Sequence, residues 1–215
     1  CWVVNSCCFL IASSNSFFYE ASIKSLVDEM QKAKKLGILG VNFHVGSTKG
    51  AEMHTVVEKV ESAIKKILEL SPEKPFLIIE NSAGAGNIIG DTIEEIGEII
   101  DAVGSDRLRV LIDTAHAFES GYDLKSKAGL EDFIEKFDKS IGLDKLVGFH
   151  LNDSKTDFNS KRDRHADIGK GFLGLETFKN IINHPKLKDK FGILETPQDE
   201  VDWKDQLKIL RGMVH

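Results

Sequence analysis

Short apolar runs that end in a side chain able to bind metal recur along the chain. Gly40-Val41-Asn42-Phe43 ends in His44, Phe76-Leu77-Ile78-Ile79 in Glu80-Asn81, and Arg109-Val110-Leu111-Ile112 in Asp113. Leu146-Val147-Gly148-Phe149 ends in His150-Leu151-Asn152-Asp153, and Gly192-Ile193-Leu194 in Glu195-Thr196-Pro197. Continuous apolar runs of this length between polar residues predict buried strands. Each therefore delivers a histidine or carboxylate to its C-terminal end.

Between the strands the period changes to that of helices. Ile23, Leu26, Val27, Met30 and Ala33 predict a helix over 17–36, with Gly37 as its C-cap. Val56, Val57, Val60, Ala63, Ile64 and Ile67 predict a second over 51–70. Asp91 with Glu94 reads as a capping box for a third, ending near Val103. Leu130, Phe133, Ile134 and Phe137 mark a helix over 127–141, and two more are expected over 175–184 and 199–213. Cys8-Phe9-Leu10-Ile11-Ala12 is a candidate sixth strand before the polar turn Ser13-Ser14-Asn15-Ser16. The polar stretch Ser154 to Gly174 has no apolar period and reads as a loop; loops this long inside a domain usually carry function.

Strand and helix alternate throughout, which implies a parallel sheet with right-handed crossovers. Ligands at successive C-terminal strand ends are what a TIM (β/α)8 barrel provides. The expectation is one α/β barrel domain over 1–215. It is short of a full barrel by one or two βα units, placed before Cys1, and residues 1–16 form a divergent start.

Composition narrows the function. At 215 residues and a formal net charge of −6 the chain is large enough for a core and unlike a simple basic nucleic-acid binder, although several bound divalent cations would reverse the local sign. Cys1, Cys7 and Cys8 are the only cysteines, which excludes a zinc-finger framework in the rest of the chain. No apolar run spans a bilayer, and a cytoplasmic setting is expected.

A carboxylate at the end of an apolar run is costly to bury without a partner, and Lys and Arg are scarce beside Glu80, Asp113 and Glu195. A divalent cation would offset that cost. His116 stands three residues after Asp113, where the two side chains are expected to diverge toward neighbouring ions, and Asp163-Arg164-His165 supplies a further pair in the long loop. His54, His184 and His215 are set aside as structural or surface residues. The set His44, Glu80, Asp113, His116, His150, Asp163, His165 and Glu195 is too large for one tetrahedral ion and suits two or three. Clustered divalent ions are a recurring solution for in-line displacement at a phosphate ester.

These residues lie in stretches that resemble the endonuclease IV family of apurinic/apyrimidinic endonucleases. They are Phe43-His44-Val45-Gly46-Ser47, Ile79-Glu80-Asn81-Ser82-Ala83-Gly84, and Asp113-Thr114-Ala115-His116-Ala117-Phe118 with Gly121-Tyr122-Asp123. His150-Leu151-Asn152-Asp153-Ser154-Lys155, Asp163-Arg164-His165-Ala166-Asp167-Ile168-Gly169-Lys170-Gly171 and Leu194-Glu195-Thr196-Pro197 follow in family order. The resemblance implies a trinuclear Zn2+ site at the mouth of a xylose isomerase-like TIM barrel. It also implies cleavage of double-stranded DNA 5′ to an abasic site in base excision repair, by a metal-bound hydroxide that leaves a 3′-hydroxyl. By the same resemblance Glu80 would bridge two zincs, and His44 would sit on the first. Asp113, His150 and Glu195 would complete the second, and His116, Asp163 and His165 would hold the third. Glu80 and Glu195 would be the catalytic carboxylates, and a monomer is expected by analogy.

The resemblance fails in one place. A family zinc histidine on the preceding strand corresponds to Ser6 if Phe9 is the aromatic that follows it. Two other functions stay open: a single-metal sugar isomerase or epimerase of the same barrel group, which would not need His116 with Asp163 and His165, and a DNA-binding remnant that does not cut. Lys155, Lys161, Arg162, Arg164 and Lys170 give the long loop a basic excess, and Lys155, Arg164 and Lys170 are the expected DNA contacts.

Overall fold

The structure is a computed structural model that describes residues 3–6, 11–47 and 53–215. The chain divides into two compact units. The first runs to Asn81 and resumes over Gly86–Leu111; the second is Ser82–Ala85 with Ile112–His215.

The first unit alternates β1 (Val3–Ser6), α1 (Ser16–Leu36), β2 (Gly40–Phe43), α2 (Met53–Leu70), β3 (Phe76–Glu80), α3 (Ile93–Val103) and β4 (Leu108–Asp113), whose last two residues count with the second unit. β1 pairs with β2, β2 with β3, and β3 with β4, all parallel. Val41, Phe43, Leu77, Ile78 and Ile79 are buried, as expected of parallel strands covered on both faces. Gly40 permits the β2–β3 approach: a Cβ there would lie 2.5 Å from Ile78 Cδ1 and 2.8 Å from the Phe76 carbonyl oxygen. α1 follows its sequence pattern closely. Asn15 caps it by accepting from the Phe17 amide, Gly37 ends it at φ 67°, and Ile23, Leu26, Val27, Met30 and Ala33 face the core. In α2, Val57 is only half-buried, while Val56, Val60, Ala63, Ile64 and Ile67 are buried.

The second unit holds α4 (Thr114–Ser120), α5 (Lys127–Ser140), β5 (Leu146–His150), β6 (Asp153–Ser154), β7 (His165–Ala166), α6 (Leu175–Ile182), β8 (Phe191–Ile193) and α7 (Trp203–Arg211). β5 pairs in parallel with β8, and β6 pairs antiparallel with β7. Gly148 allows close β5–β8 packing, since a Cβ would come within 2.6 Å of the Phe191 ring and carbonyl.

Several expectations need correction. The first described strand is Val3–Ser6, whereas Ile11 and Ala12 lie in a turn; Cys8, Phe9 and Leu10 fall outside the described residues. The capping box of α3 sits one residue later than expected: Thr92 accepts from the Glu95 amide, and Glu95 returns to accept from the Gly90 amide. α7 starts at Trp203 rather than 199 because the Asp202 side chain accepts from the Asp205 amide. The long polar stretch is not wholly a loop, since β6 and β7 brace its base through the Lys155 amide on the Arg164 carbonyl at 2.8 Å. α4 has no counterpart among the expected elements; seven residues are too few to show a helical period, and Asp113 nucleates it as N-cap.

Candidate metal centre

In the first unit, Glu80 ends β3 with its carboxylate buried. Asn42 and His44, two apart along β2 and its extension, point to one face. Asn42 Nδ2 donates to Glu80 Oε2, and His44 Nε2 lies 3.5 Å from the same oxygen.

In the second unit, Asp113 ends β4 fully buried and its two oxygens have different tasks. Oδ1 accepts from the His116 amide at 3.0 Å and so caps α4. Oδ2 accepts from Asn152 Nδ2 at 2.6 Å and lies 3.6 Å from His165 Nε2 and 3.9 Å from His150 Nδ1. The His116 ring stays near the Asp113 carboxylate rather than turning away from it. With His165 they offer ligand atoms that all lie within 4.8 Å of one another. His150, buried at the end of β5, places Nδ1 3.0 Å from Glu195 Oε2. Glu195 is 24% exposed at its side chain and lies beyond the end of β8, so it is less buried than its sequence context suggests.

His116, Asp163 and His165 form a near-regular triangle. His116 Nε2 is 3.3 Å from His165 Nε2 and 3.4 Å from Asp163 Oδ1, and His165 Nε2 is 3.6 Å from that oxygen. Ligands on a tetrahedral zinc at ordinary bond lengths are about 3.4 Å apart, so the donor set fits the ion in type and spacing. His165 Nδ1 lies 3.2 Å from the Glu195 carbonyl oxygen. A proton on Nδ1 donating to that carbonyl leaves the Nε2 lone pair facing the triangle, as in metal-ligating histidines generally.

Three carboxylates that sequence reasoning did not single out hold these loops. Asp153 accepts from the amides of Ser154, Gly169, Leu173 and Gly174. Burial pushes its carboxyl above the ordinary range, against the pull of those backbone donors. A side chain at Gly171 would meet the Ser154 carbonyl at 2.2 Å, which keeps that turn against Asp153. Asp167 accepts from the amides of Gln198, Glu200 and Val201 and from Gln206 Nε2. Burial acts to raise its pKa, but these donors outweigh it and hold the carboxyl below its ordinary range. Glu119, buried on α4, accepts from Ser154 Oγ, Thr156 Oγ1 and the Arg164 amide; burial raises its pKa. The usable signal for all three is a carboxylate among small polar residues and glycines, but apart from Ser154 beside Asp153 their partners are 16 to 45 residues distant in sequence.

The expected DNA contacts are partly occupied. Lys155 Nζ pairs with Asp199 at 3.2 Å and Lys170 Nζ with Glu200 at 2.9 Å, while Arg164 Nη1 donates to the Asp163 carbonyl. Of the histidines set aside, His54 pairs with Glu58 on the exposed side of α2, and His184 lies 2.9 Å from Glu131. The side chain of Ser6 lies outside the described residues. No helix among the described residues is long and apolar enough to cross a membrane.

Residues 1–213 match the family described as the xylose isomerase-like TIM barrel. A probable endonuclease 4 of Campylobacter hominis is 40% identical over 197 residues, covering 91% of this chain and 69% of its own length. A crystal structure of endonuclease IV from Thermus thermophilus superposes with a TM-score of 0.85 at 31% identity, over 98% of this chain and 74% of that one. A D-tagatose 3-epimerase-like protein shares the fold, with a TM-score of 0.76 at 22% identity, over 99% of this chain and 77% of its own. The fold is thus shared with an epimerase-like protein, whereas the sequence likeness is to endonuclease IV, and the chain belongs to the endonuclease IV family of xylose isomerase-like TIM barrels.

Proposed function

We propose that this protein is a zinc-dependent endonuclease that hydrolyses the phosphodiester 5′ to an abasic site in double-stranded DNA and leaves a 3′-hydroxyl. The observation that carries the metal chemistry is the triangle of His116, Asp163 and His165. Two imidazole nitrogens and a carboxylate oxygen meet at zinc-ligand spacing, and the Glu195 carbonyl sets the tautomer of one ring. A single-metal sugar isomerase would have no use for that triangle. Its three residues are proposed to hold one zinc; Asp113, His150 and Glu195 would hold a second, and His44 with Glu80 would serve a third. Bound zinc would supply a Lewis acid for the phosphate and lower the pKa of water.

The chain's own groups have definable tasks. Asp113 and Glu195 present carboxylate oxygens beside His150. Glu80, held by Asn42, is the proposed proton acceptor for the attacking water. Lys155 and Lys170 would exchange Asp199 and Glu200 for DNA phosphates, which fits a loop paired internally until substrate arrives.

The test is incision of a duplex that carries one tetrahydrofuran abasic analogue, with zinc, next to His116→Ala and His165→Ala. Cutting on the 5′ side of the lesion, lost by at least about 100-fold in both variants, is the expected result. A chain that binds zinc stoichiometrically yet leaves the duplex intact would remove the nuclease assignment.

A further inference from the structure

Asn152 lies two residues beyond β5 and is fully buried. Its side chain makes two bonds of opposite sense. Nδ2 donates to Asp113 Oδ2 at 2.6 Å, and Oδ1 accepts from the Glu195 amide at 2.8 Å. Its main chain is fixed as well. The Asn152 amide donates to Thr114 Oγ1 at 3.0 Å, and that hydroxyl donates to the Asn152 carbonyl at 2.7 Å.

We propose that Asn152 is a positioning residue for metal binding: one carboxamide fixes the Asp113 carboxylate and the Glu195 main chain relative to each other, so that both ligands are oriented before an ion arrives. The proposal rests on the metal-dependent reading above. Its chemistry is restrictive. The group at this position faces an acceptor on one side and a donor on the other, so it must offer a donor and an acceptor on one short planar fork. Among the side chains of this length only asparagine does so. Aspartate would set a carboxylate against Asp113, and leucine would fill the space while leaving a buried carboxylate oxygen and a buried amide unpaired.

Asn152 also acts on more than one ligand. Asp113 has Oδ1 committed to the His116 amide, so the bond from Asn152 to Oδ2 removes the remaining freedom of the carboxylate. Glu195, held through its amide, presents its carbonyl to His165 Nδ1. Loss of the carboxamide is therefore expected to misplace Asp113 directly and His165 through the Glu195 peptide.

Asn152→Leu, Asn152→Ala and Thr114→Val would be prepared as metal-free protein. They would then be titrated with zinc against a chromophoric chelator and with cobalt(II) followed by its visible d–d absorption. Thr114→Val loosens the same turn but keeps the carboxamide. Both Asn152 variants should bind zinc about 10–100-fold more weakly than the parent and show a changed cobalt spectrum at saturation. Thr114→Val should lose thermal stability with at least about tenfold less effect on affinity and an unchanged spectrum. The assignment is overturned if the Asn152 variants keep the parent affinity and spectrum, if Thr114→Val matches their loss, or if neither Asn152 variant folds without metal, which would make the residue purely structural. A parent chain that binds zinc but does not incise DNA removes the nuclease reading and leaves this one standing; a parent that takes up no metal removes both.

Discussion

The first unit carries its candidate ligands at strand ends, whereas the second adds to its own strand-end ligands, Asp113 and His150, a pair reached through a long loop. In the first, His44 and Glu80 sit directly on strand ends, and the group that steadies Glu80, Asn42, comes from the strand beside it. In the second, Asp163 lies on the long excursion that joins β6 to β7 and His165 opens β7 at its far end, and their positions depend on groups outside the candidate ligand set. Asp153 gathers the turn over 169–174, Glu119 takes the Thr156 hydroxyl and the Arg164 amide, and Asn159 and Lys161 reach the last carbonyls of α4. A strand-end ligand inherits its place from the sheet. A loop ligand needs a dedicated anchor, and here the anchors are buried carboxylates.

The sharpest way to break this contrast is to remove one anchor from each side. Asp153→Ala leaves several backbone amides without their acceptor and should cost about 3 kcal/mol or more, with loss of protection across 154–174 in hydrogen exchange. Asn42→Ala removes one donor from a carboxylate still held by the sheet and should cost about 1–2 kcal/mol in denaturant titration. Equal losses would mean that strand and loop ligands are supported alike.

A finer test uses acid. The folded-state pKa of Asp167 lies below that of the unfolded chain. Its contribution to stability is therefore complete above the unfolded value, about 3.9, and is lost as pH falls through the lower folded value. The Glu200 and Val201 amides should accordingly lose exchange protection below about pH 4, while strand amides such as Val41 should respond less to that titration. Simultaneous loss at both places would show that Asp167 does not anchor its segment separately.

The smallest effect is expected at the surface of the loop. Lys155→Ala and Lys170→Ala break exposed pairs with Asp199 and Glu200 and should change stability by less than about 0.5 kcal/mol. If these lysines meet phosphate, each should lower the salt dependence of DNA binding by about one unit in log–log slope. An unchanged slope would confine them to bracing the loop.

The same contrast explains what can be read from the sequence. Glu80, Asp113 and His150 are visible because each closes an apolar run, and a strand's direction follows from its residues alone. α1 is visible because its caps, Asn15 and Gly37, and its buried face are all local. The anchors are not visible, because whether Asp153 or Asp167 is solvated or caged depends on amides brought in by the fold. Asn152 looks like one more polar residue after a strand until Asp113 and Glu195 meet it from two sides. The displaced α3 cap has a nearer cause. Both Asp91 and Thr92 can cap, and only the backbone angles at Thr92 select between Asp91 with Glu94 and Thr92 with Glu95.

The divided duty of Asp113 has a consequence for observing the centre. One carboxylate caps α4 through the His116 amide and turns its other oxygen toward His150 and His165. A cation drawn to the second oxygen withdraws electron density from the first, so occupancy and the strength of the helix cap are thermodynamically linked. The His116 amide proton is therefore a built-in reporter: its chemical shift would register filling of the centre from the backbone side, without DNA and without turnover.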